Sequence, residues 1–339
     1  MVKHYLKVAF RNMWKYKYQT LVSVIGLAVG FACFAMAALW IRYEMTYDSF
    51  HKNADRMYSV GIQGESPSEI LRGVPYPLAG YLKTTFPEIA NSIPISSAPS
   101  SQIELDGVRR SVDIVRIDSS FFSMFDVKII EGSMDFLIPA SKGAAITAAK
   151  AKQWFGNESP LGKSFKEYGK EYTVCAVTTS LPKRSNYPFD ILMLSGIVAN
   201  GVPVQSQWSY WYGDHALIEL VPDVDVEAFR KKLYEHKTKH SGIKHMSITP
   251  LTSLRYVDPN VKRDVKFRHI IIFSVVGMLL ILCTLFNYLT LFISRFRLRR
   301  RELALRVVCG ASNRSLFTLL STEFLASLII ALLLGLFII

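Results

Sequence analysis

Cysteine is scarce in this chain, with four in 339 residues, which excludes a disulfide-dense scaffold of the small secreted kind. Acidic side chains are absent from residues 1–20, and Asp, Glu, Lys and Arg are all absent from 18–41 and 269–294. Residues 315–339 carry one ionised group, Glu323. Stretches of 24, 26 and 25 residues with so little charge are not ordinary core helices of a soluble protein, which keep a charged face. At about 1.5 Å rise per residue, each is long enough to cross a hydrocarbon layer of roughly 30 Å, so each is a transmembrane candidate. No Ser-His-Asp or paired-carboxylate arrangement stands out, which leaves hydrolytic chemistry without support.

Positive charge is what the chain has in excess: 40 Lys and Arg against 27 Asp and Glu, a net +13. Such an excess points to nucleic acid or a membrane surface, and its distribution decides between them. Residues 1–20 contribute +5 through Lys3, Lys7, Arg11, Lys15 and Lys17, and residues 295–314 contribute +6 from seven arginines against Glu302. Residues 42–269 hold 28 basic and 25 acidic side chains, a near-balanced soluble composition. The excess therefore flanks the apolar runs. The lipid bilayer is the expected partner and nucleic acid is not, and the positive-inside rule places the N-terminus and 295–314 in the cytoplasm with the long middle segment outside. The first apolar run, 21–41, exceeds a signal-peptide core, and Gly30-Phe31-Ala32-Cys33 lacks the aliphatic residue of a lipoprotein cleavage motif, so a retained anchor is expected.

These boundaries divide the chain into an interfacial helix over 1–18, a first span over 19–42, an extracytoplasmic domain over 43–268, a second span over 269–294, a cytoplasmic loop over 295–314 and a third span over 315–339. In the first segment Lys3, Lys7, Arg11 and Lys15 recur every fourth residue and line one helical face. Val2, Leu6, Ala9, Phe10, Met13 and Trp14 line much of the other, which suits a helix lying in the inner interface with Trp14, Tyr16 and Tyr18.

The middle segment reads as mixed α and β. Asp106-Gly107 between apolar runs at 103–105 and 108–117 is a hairpin signal, and Tyr168-Gly169 is a second candidate. Thr147 is placed to cap a helix reaching about Phe155, and Asp225 one whose apolar stripe runs toward Gly242. The Pro- and Ser-rich stretches 91–101 and 181–188 read as loops, and residues 48–51 as an outward continuation of the first membrane helix.

Several constellations tempt a chemical reading. Gly156-Asn157-Glu158-Ser159-Pro160-Leu161-Gly162-Lys163-Ser164 resembles a phosphate loop but has five residues between its glycines where the motif needs four, so a turn is expected. His236 and His240 fall at i, i+4 on the expected 225–240 helix, with His245 nearby, but no glutamate follows the first and Lys237 and Lys239 surround them; a solvated face is the better reading. Cys175 sits in an apolar run and reads as core. Glu323, costly in lipid, is equally a helix–helix contact or a transport residue. No cofactor, metal or catalytic residue is assigned.

Between the second and third apolar runs, Glu302-Leu303-Ala304-Leu305-Arg306-Val307-Val308-Cys309-Gly310-Ala311-Ser312 places Leu303, Arg306 and Val307 on one face of a short helix that Gly310 stops. This stretch resembles the R-E-[IL]-[GA]-[IL]-R-K-[VAS]-L-G-A segment of MacB/FtsX-like permeases of ABC transporters, departing from it at Val307 and Cys309. Tyr43-Glu44-Met45-Thr46-Tyr47-Asp48-Ser49-Phe50-His51 and Asp55-Arg56-Met57-Tyr58 look like the beginning of the MacB-like periplasmic core domain. Phe121-Phe122-Ser123-Met124-Phe125, Glu131-Gly132 and Pro160-Leu161-Gly162-Lys163 are similar to its later landmarks.

The resemblance implies an α-helical membrane protein with a large α+β extracytoplasmic domain inserted between its first and second membrane helices. It implies a non-enzymatic permease of the mechanotransmission type in a bacterial inner membrane, working with a cytoplasmic ABC ATP-binding subunit, a second permease unit and, in some relatives, a periplasmic adaptor. Glu302, Leu303, Ala304, Leu305, Arg306, Val307, Gly310, Ala311 and Ser312 are the expected coupling residues. Glu44, Tyr47, Asp48 and Phe50 are the expected stalk. The family unit has a fourth membrane helix, so the chain is expected to continue past Ile339. The rival expectation is a membrane-anchored sensor whose external domain binds a ligand.

Overall fold

The computed structural model describes residues 2–63, 70–71, 73–139, 141–209, 214–238, 243–257 and 267–338. It divides into two compact units, a central one of Met45–Asp264 and a terminal one of Met1–Glu44 with Val265–Ile339.

The chain opens with α1 (Val2–Lys15) and α2 (Lys17–Met45). The central unit carries strands β1 (Met57–Gln63), β2 (Ile70–Leu71), β3 (Ile89–Leu105), β4 (Val108–Ile117), β5 (Ile129–Gly132), β6 (Gly143–Thr147), β7 (Ser164–Glu167), β8 (Lys170–Thr178), β9 (Ile191–Leu194), β10 (Asp214–Leu220) and β11 (Met246–Pro250). Its helices are α3 (Leu78–Thr85), α4 (Phe121–Met124), α5 (Ala148–Phe155), α6 (Gly196–Ala199), α7 (Val204–Gln207), α8 (Val226–Glu235) and α9 (Leu254–Val257). The chain then returns through α10 (Phe267–Leu298), α11 (Arg300–Val308) and α12 (Asn313–Ile338).

One mixed sheet organises the central unit, in the order β11-β1-β10-β3-β4-β9-β6-β8-β5, with β2 on β1 and β7 on β3 and β8. The pairs β4–β9 and β6–β8 are parallel and the remainder antiparallel. Both faces are covered, so strand residues alternate between apolar clusters rather than between core and water. On β4, Val115 and Ile117 join Phe121, Phe125 and Phe136, while Val112 and Ile114 join Phe165, Val174 and Met193. On β1, Val60 and Ile62 pack with Leu78 and Leu82 of α3 and Phe229 and Leu233 of α8.

Local chemistry explains the turns. Asp106 (φ 51°) and Gly107 (φ 76°) join β3 to β4 in a two-residue hairpin, and Tyr168 (φ 47°) with Gly169 (φ 76°) does the same between β7 and β8. The Thr147 side chain accepts from the Lys150 amide at the start of α5, and Asp225 accepts from the amides of Glu227 and Ala228 at the start of α8.

Three expectations need correction. The stretch 91–101 is no loop but lies within the 17-residue β3. Its prolines escape the ladder penalty: Pro94 faces Ala216 of β10 before pairing with β4 begins at Ser96, and Pro99 sits where the β3–β4 register shifts between Ala98 and Ser101. The second helix of the reading ends at Glu235, where His236 turns to extended backbone (ψ 122°), and residues 239–242 lie outside the described ones. Residues 48–51 do not continue α2, which ends at Met45; Asp48 adopts φ 52°, incompatible with a right-handed helix.

In the terminal unit, α2, α10 and α12 are long and apolar enough to cross a membrane. They meet through small residues: a Cβ added at Gly335 of α12 would stand 2.9 Å from the Ala28 carbonyl oxygen and 3.1 Å from Phe31 Cβ on α2. Ala28 and Leu27 of α2, Tyr288 of α10 and Ala331 of α12 form the buried seam, where the Tyr288 hydroxyl hydrogen-bonds Ser327. Because backbone cannot retreat from a new methyl group, Gly335→Val is expected to cost about 1–3 kcal/mol, read as a lower unfolding temperature in detergent. An unchanged unfolding temperature would show that α2 and α12 are not held so closely.

Candidate functional site

The short helix between the last two apolar helices has defined ends. Gly310 stands at φ 89°, its amide donating to Val307 O at 2.9 Å, while the amides of Cys309 and Ala311 donate to Leu305 O and Arg306 O at 2.9 Å. These bonds satisfy carbonyls that the end of α11 would leave open. The Ser312 hydroxyl accepts from the Ser315 amide and so caps the start of α12. Glu302, Leu303, Ala304, Leu305, Arg306 and Val307 therefore lie on α11, with Gly310, Ala311 and Ser312 in the turn that follows.

Only part of the face expected for this helix is buried. Leu303 is buried and Arg306 is half-buried, whereas Ala304, Leu305, Val307 and Val308 are exposed. Val308 is 84% exposed, an apolar side chain left largely uncovered.

At its start the helix is held by buried charge. Arg299 Nη1 donates to Glu323 Oε2 on α12 at 2.8 Å, and Asn12 Nδ2 on α1 donates to the same oxygen at 3.3 Å. All three residues are 4% exposed. Glu302 Oε1 lies 3.5 Å from Arg299 Nη2 and 3.4 Å from Arg306 Nη2. Burial alone would raise the Glu302 carboxyl, but Arg299, Arg306 and Lys15 outweigh it and hold it below the ordinary carboxylate value. Its ion pairs are therefore complete above the ordinary value and are lost as pH falls through the depressed one. Burial likewise opposes the Arg299 charge, and Glu323 and Glu302 overcome it.

Glu323 thus joins α12 to Asn12 of α1 and to Arg299 in this structure. Sequence reading missed Arg299 and Asn12. Arg299 stands among Arg297, Arg300 and Arg301, and nothing in such a run says which side chain turns inward. Asn12 lies between the basic and apolar stripes of α1 and shares its buried face with Val8, Ala9 and Met13. Phe10 and Trp14, on the stripe expected to lie in the interface, are exposed, Trp14 by 81%.

The residues after α2 form a second compact arrangement, within the central unit. Asp48 is fully buried and accepts from Asn186 Nδ2 at 2.6 Å and from the Asn186 amide at 3.0 Å, while its own amide donates to Arg184 O at 2.9 Å. His51 Nε2 lies 3.5 Å from Asp48 Oδ1, and the His51 ring meets Phe125 edge-on. Arg184 Nη1 donates to Thr46 Oγ1 at 2.6 Å, and the Arg255 guanidinium lies 4.0 Å from the centre of the Tyr47 ring. Tyr47 is buried, Phe50 half-buried, and Glu44, the last residue of the terminal unit's first segment, is buried.

The remaining candidates resolve simply. The false phosphate loop is a turn in which Lys163 Nζ pairs with Glu158 at 3.0 Å on the surface. His236 lies beyond α8, not on a helix face, and its Nε2 shares a 2.8 Å hydrogen bond with the Tyr81 hydroxyl; His240 lies outside the described residues. Among the described residues no group of three His, Cys, Asp or Glu side chains is placed to hold a metal. Cys175 is half-buried in β8, and burial pushes its thiol pKa up.

A family model, the MacB-like periplasmic core domain, matches residues 20–235. Comparison with curated proteins gives no match. Among solved structures, a domain of a protein described as a candidate permease from Porphyromonas gingivalis is similar with a TM-score of 0.51 and 21% identity, covering 65% of this chain and 99% of that one. That likeness shows the fold. The periplasmic region of MacB from Actinobacillus actinomycetemcomitans has a TM-score of 0.45 and 16% identity, covering 60% of this chain and 92% of its own. The extracellular domain of a noncanonic ABC-type transporter, YknZ, from Gram-positive bacteria has 0.40 and 14%, covering 57% and 99%.

Proposed function

The chain belongs to the MacB-like periplasmic core domain family, and from that premise we propose that it couples ATP hydrolysis by a separate cytoplasmic subunit to movement of its own periplasmic domain. The family is one of ABC transporter permease components, which work with an ATP-binding subunit and are not themselves enzymes. The chain is accordingly a membrane protein with a periplasmic α+β domain. In the proposed arrangement α2, α10 and α12 are the spans, the central unit is inserted between the first and second, and α1 and α11 lie on the cytoplasmic side of a bacterial inner membrane. A second permease unit completes the membrane part, a periplasmic adaptor is a further candidate partner, and substrate is extruded from the periplasmic face.

The observation that carries this reading is α11 itself: a rigidly ended helix between two apolar helices, anchored on one side by Leu303 and Arg299 and presenting Ala304, Leu305, Val307 and Val308 on the other. An exposed apolar strip on an anchored helix suits docking against another protein and transmission of its motion. Glu44 to Phe50 are the proposed stalk, and within it Thr46 and Asp48 are bonded to Arg184 and Asn186.

Breaking the helix tests the reading. Ala304→Pro removes an amide in mid-helix and costs about 3 kcal/mol locally. The variant is expected to lose co-purification with the ATP-binding subunit and stimulation of its ATPase, with membrane insertion intact. Stimulation that survives the substitution would overturn the coupling role, and a chain that recruits no ATP-binding subunit at all would favour the sensor.

A further inference from the structure

The central unit contains a cavity of about 310 Å³ that the coupling scheme does not use. It is built on rigid elements. Arg116 of β4 pairs across the parallel ladder with Met193 of β9, Met193 pairs with Ala144 of β6, and Gly143 of β6 pairs with Thr173 of β8. The cavity opens beside the carboxyl ends of β4 and β9, where β9 changes from a parallel neighbour to an antiparallel one; such reversals of strand direction leave crevices in sheets. Its volume is at the lower end of the range for ligand sites.

The lining is divided. Phe136, Met193 and Leu194 are buried and give an apolar floor, with Ile138 at the lip, 52% exposed. Arg116, Lys142 and Lys170 give three cations, and no lining residue is acidic. Arg116 is oriented by the buried Glu167, to which its Nη2 donates at 2.7 Å, leaving the guanidinium's other donors uncommitted to that carboxylate. The ammonium groups of Lys142 and Lys170 make no ion pair among the described residues, and the Tyr172 hydroxyl makes no hydrogen bond among them. After Glu167 is set against Arg116, the walls keep a net charge of +2. Lys142 is also held at φ 46°, a conformation that a lysine adopts at a cost.

We propose that this cavity binds the free carboxyl end of an apolar peptide. The carboxylate meets Arg116, Lys142 and Lys170, the last side chain occupies the floor of Phe136, Met193 and Leu194, and the Tyr172 hydroxyl serves the terminal peptide group. An inorganic anion would leave the floor empty, and an apolar cation would be repelled by the walls. A carboxylate carried on an apolar body satisfies both parts, and the small volume limits the grip to about the last two residues.

The test uses the full chain in detergent, with no ATP-binding subunit, so its outcome is independent of the coupling reading. Binding of N-acetyl-Leu-Phe with a free carboxylate is compared with that of its C-terminal amide by isothermal titration. The acid is expected to bind saturably and at least about tenfold more tightly than the amide. Replacing the two exposed lysines together, Lys142→Glu with Lys170→Glu, is expected to weaken the acid by at least about tenfold without changing the unfolding temperature. Equal affinity for acid and amide, no saturable binding, or a charge-reversed variant that binds as before would each overturn the proposal. Tighter binding of decanoate than of the peptide acid would overturn it in favour of an acyl anion.

Discussion

Replacing Arg299 with alanine is expected to destabilise the terminal unit by about 3–5 kcal/mol, because the change removes one partner of a buried pair and leaves the Glu323 carboxyl with Asn12 as its remaining side-chain partner among the described residues. Replacing Glu323 with alanine is expected to cost a similar amount, since the Arg299 guanidinium then keeps only the longer contact to Glu302. The double replacement by alanine should cost less than the two single changes added together, because no isolated charge remains. Unfolding midpoints of the four proteins in detergent form the cycle that isolates the interaction. Two single variants with costs that simply add would show that the carboxylate and guanidinium do not interact as the 2.8 Å contact implies. The same variants bear on the proposed coupling: the pair joins the start of α11 to α12 and, through Asn12, to α1, so on that proposal a single loss is expected to lower ATPase stimulation even where the protein still inserts.

Asp48→Ala is the second large effect, expected at about 3 kcal/mol within the central unit. The substitution removes the acceptor of the Asn186 amide and side-chain amide, at a side chain that is itself fully buried, and places alanine at φ 52°. Asp48→Asn should cost less, because asparagine tolerates the left-handed conformation and still offers one acceptor oxygen. Hydrogen–deuterium exchange localises the effect: the Asn186 amide is expected to lose protection strongly in Asp48→Ala and partially in Asp48→Asn. Equal protection in all three proteins would mean that Asp48 does not hold the 184–187 segment.

Much of this architecture could be read from residue pattern, and the reasons differ by element. The apolar helices are legible because lipid demands composition over twenty or more residues, a signal that no single side chain decides. The hairpins at Asp106-Gly107 and Tyr168-Gly169 are legible because positive φ at two successive positions is a local requirement. Strand β3 was hidden for the opposite reason. Its prolines argue against a strand unless the partner strands are known: Pro94 lies before pairing with β4 begins, and Pro99 at the register shift between Ala98 and Ser101. The turn at Asp48 was equally hidden, since its helix-breaking conformation is stabilised by Asn186, 138 residues away in the chain. For the candidate site, the limits of α11 follow from Gly310, but the choice of Arg299 over its arginine neighbours follows from Glu323 on another helix.

The position of β1 has a consequence for biosynthesis. Beyond the short β2, its sheet neighbours are β10 and β11, so the first long strand of the central unit cannot begin its ladder with either until the chain has been made past residue 214. At synthesis rates of about 5–20 residues per second, the strand waits roughly 10–30 s after it emerges. Throughout that interval most of the backbone edge of β1 lacks its partners β10 and β11, and Val60 and Ile62 have α3 but not yet Phe229 and Leu233 of α8 to pack against. A chaperone active on the side of the membrane where the central unit folds is therefore expected to engage residues 57–63 early and to release them once 214–220 arrives.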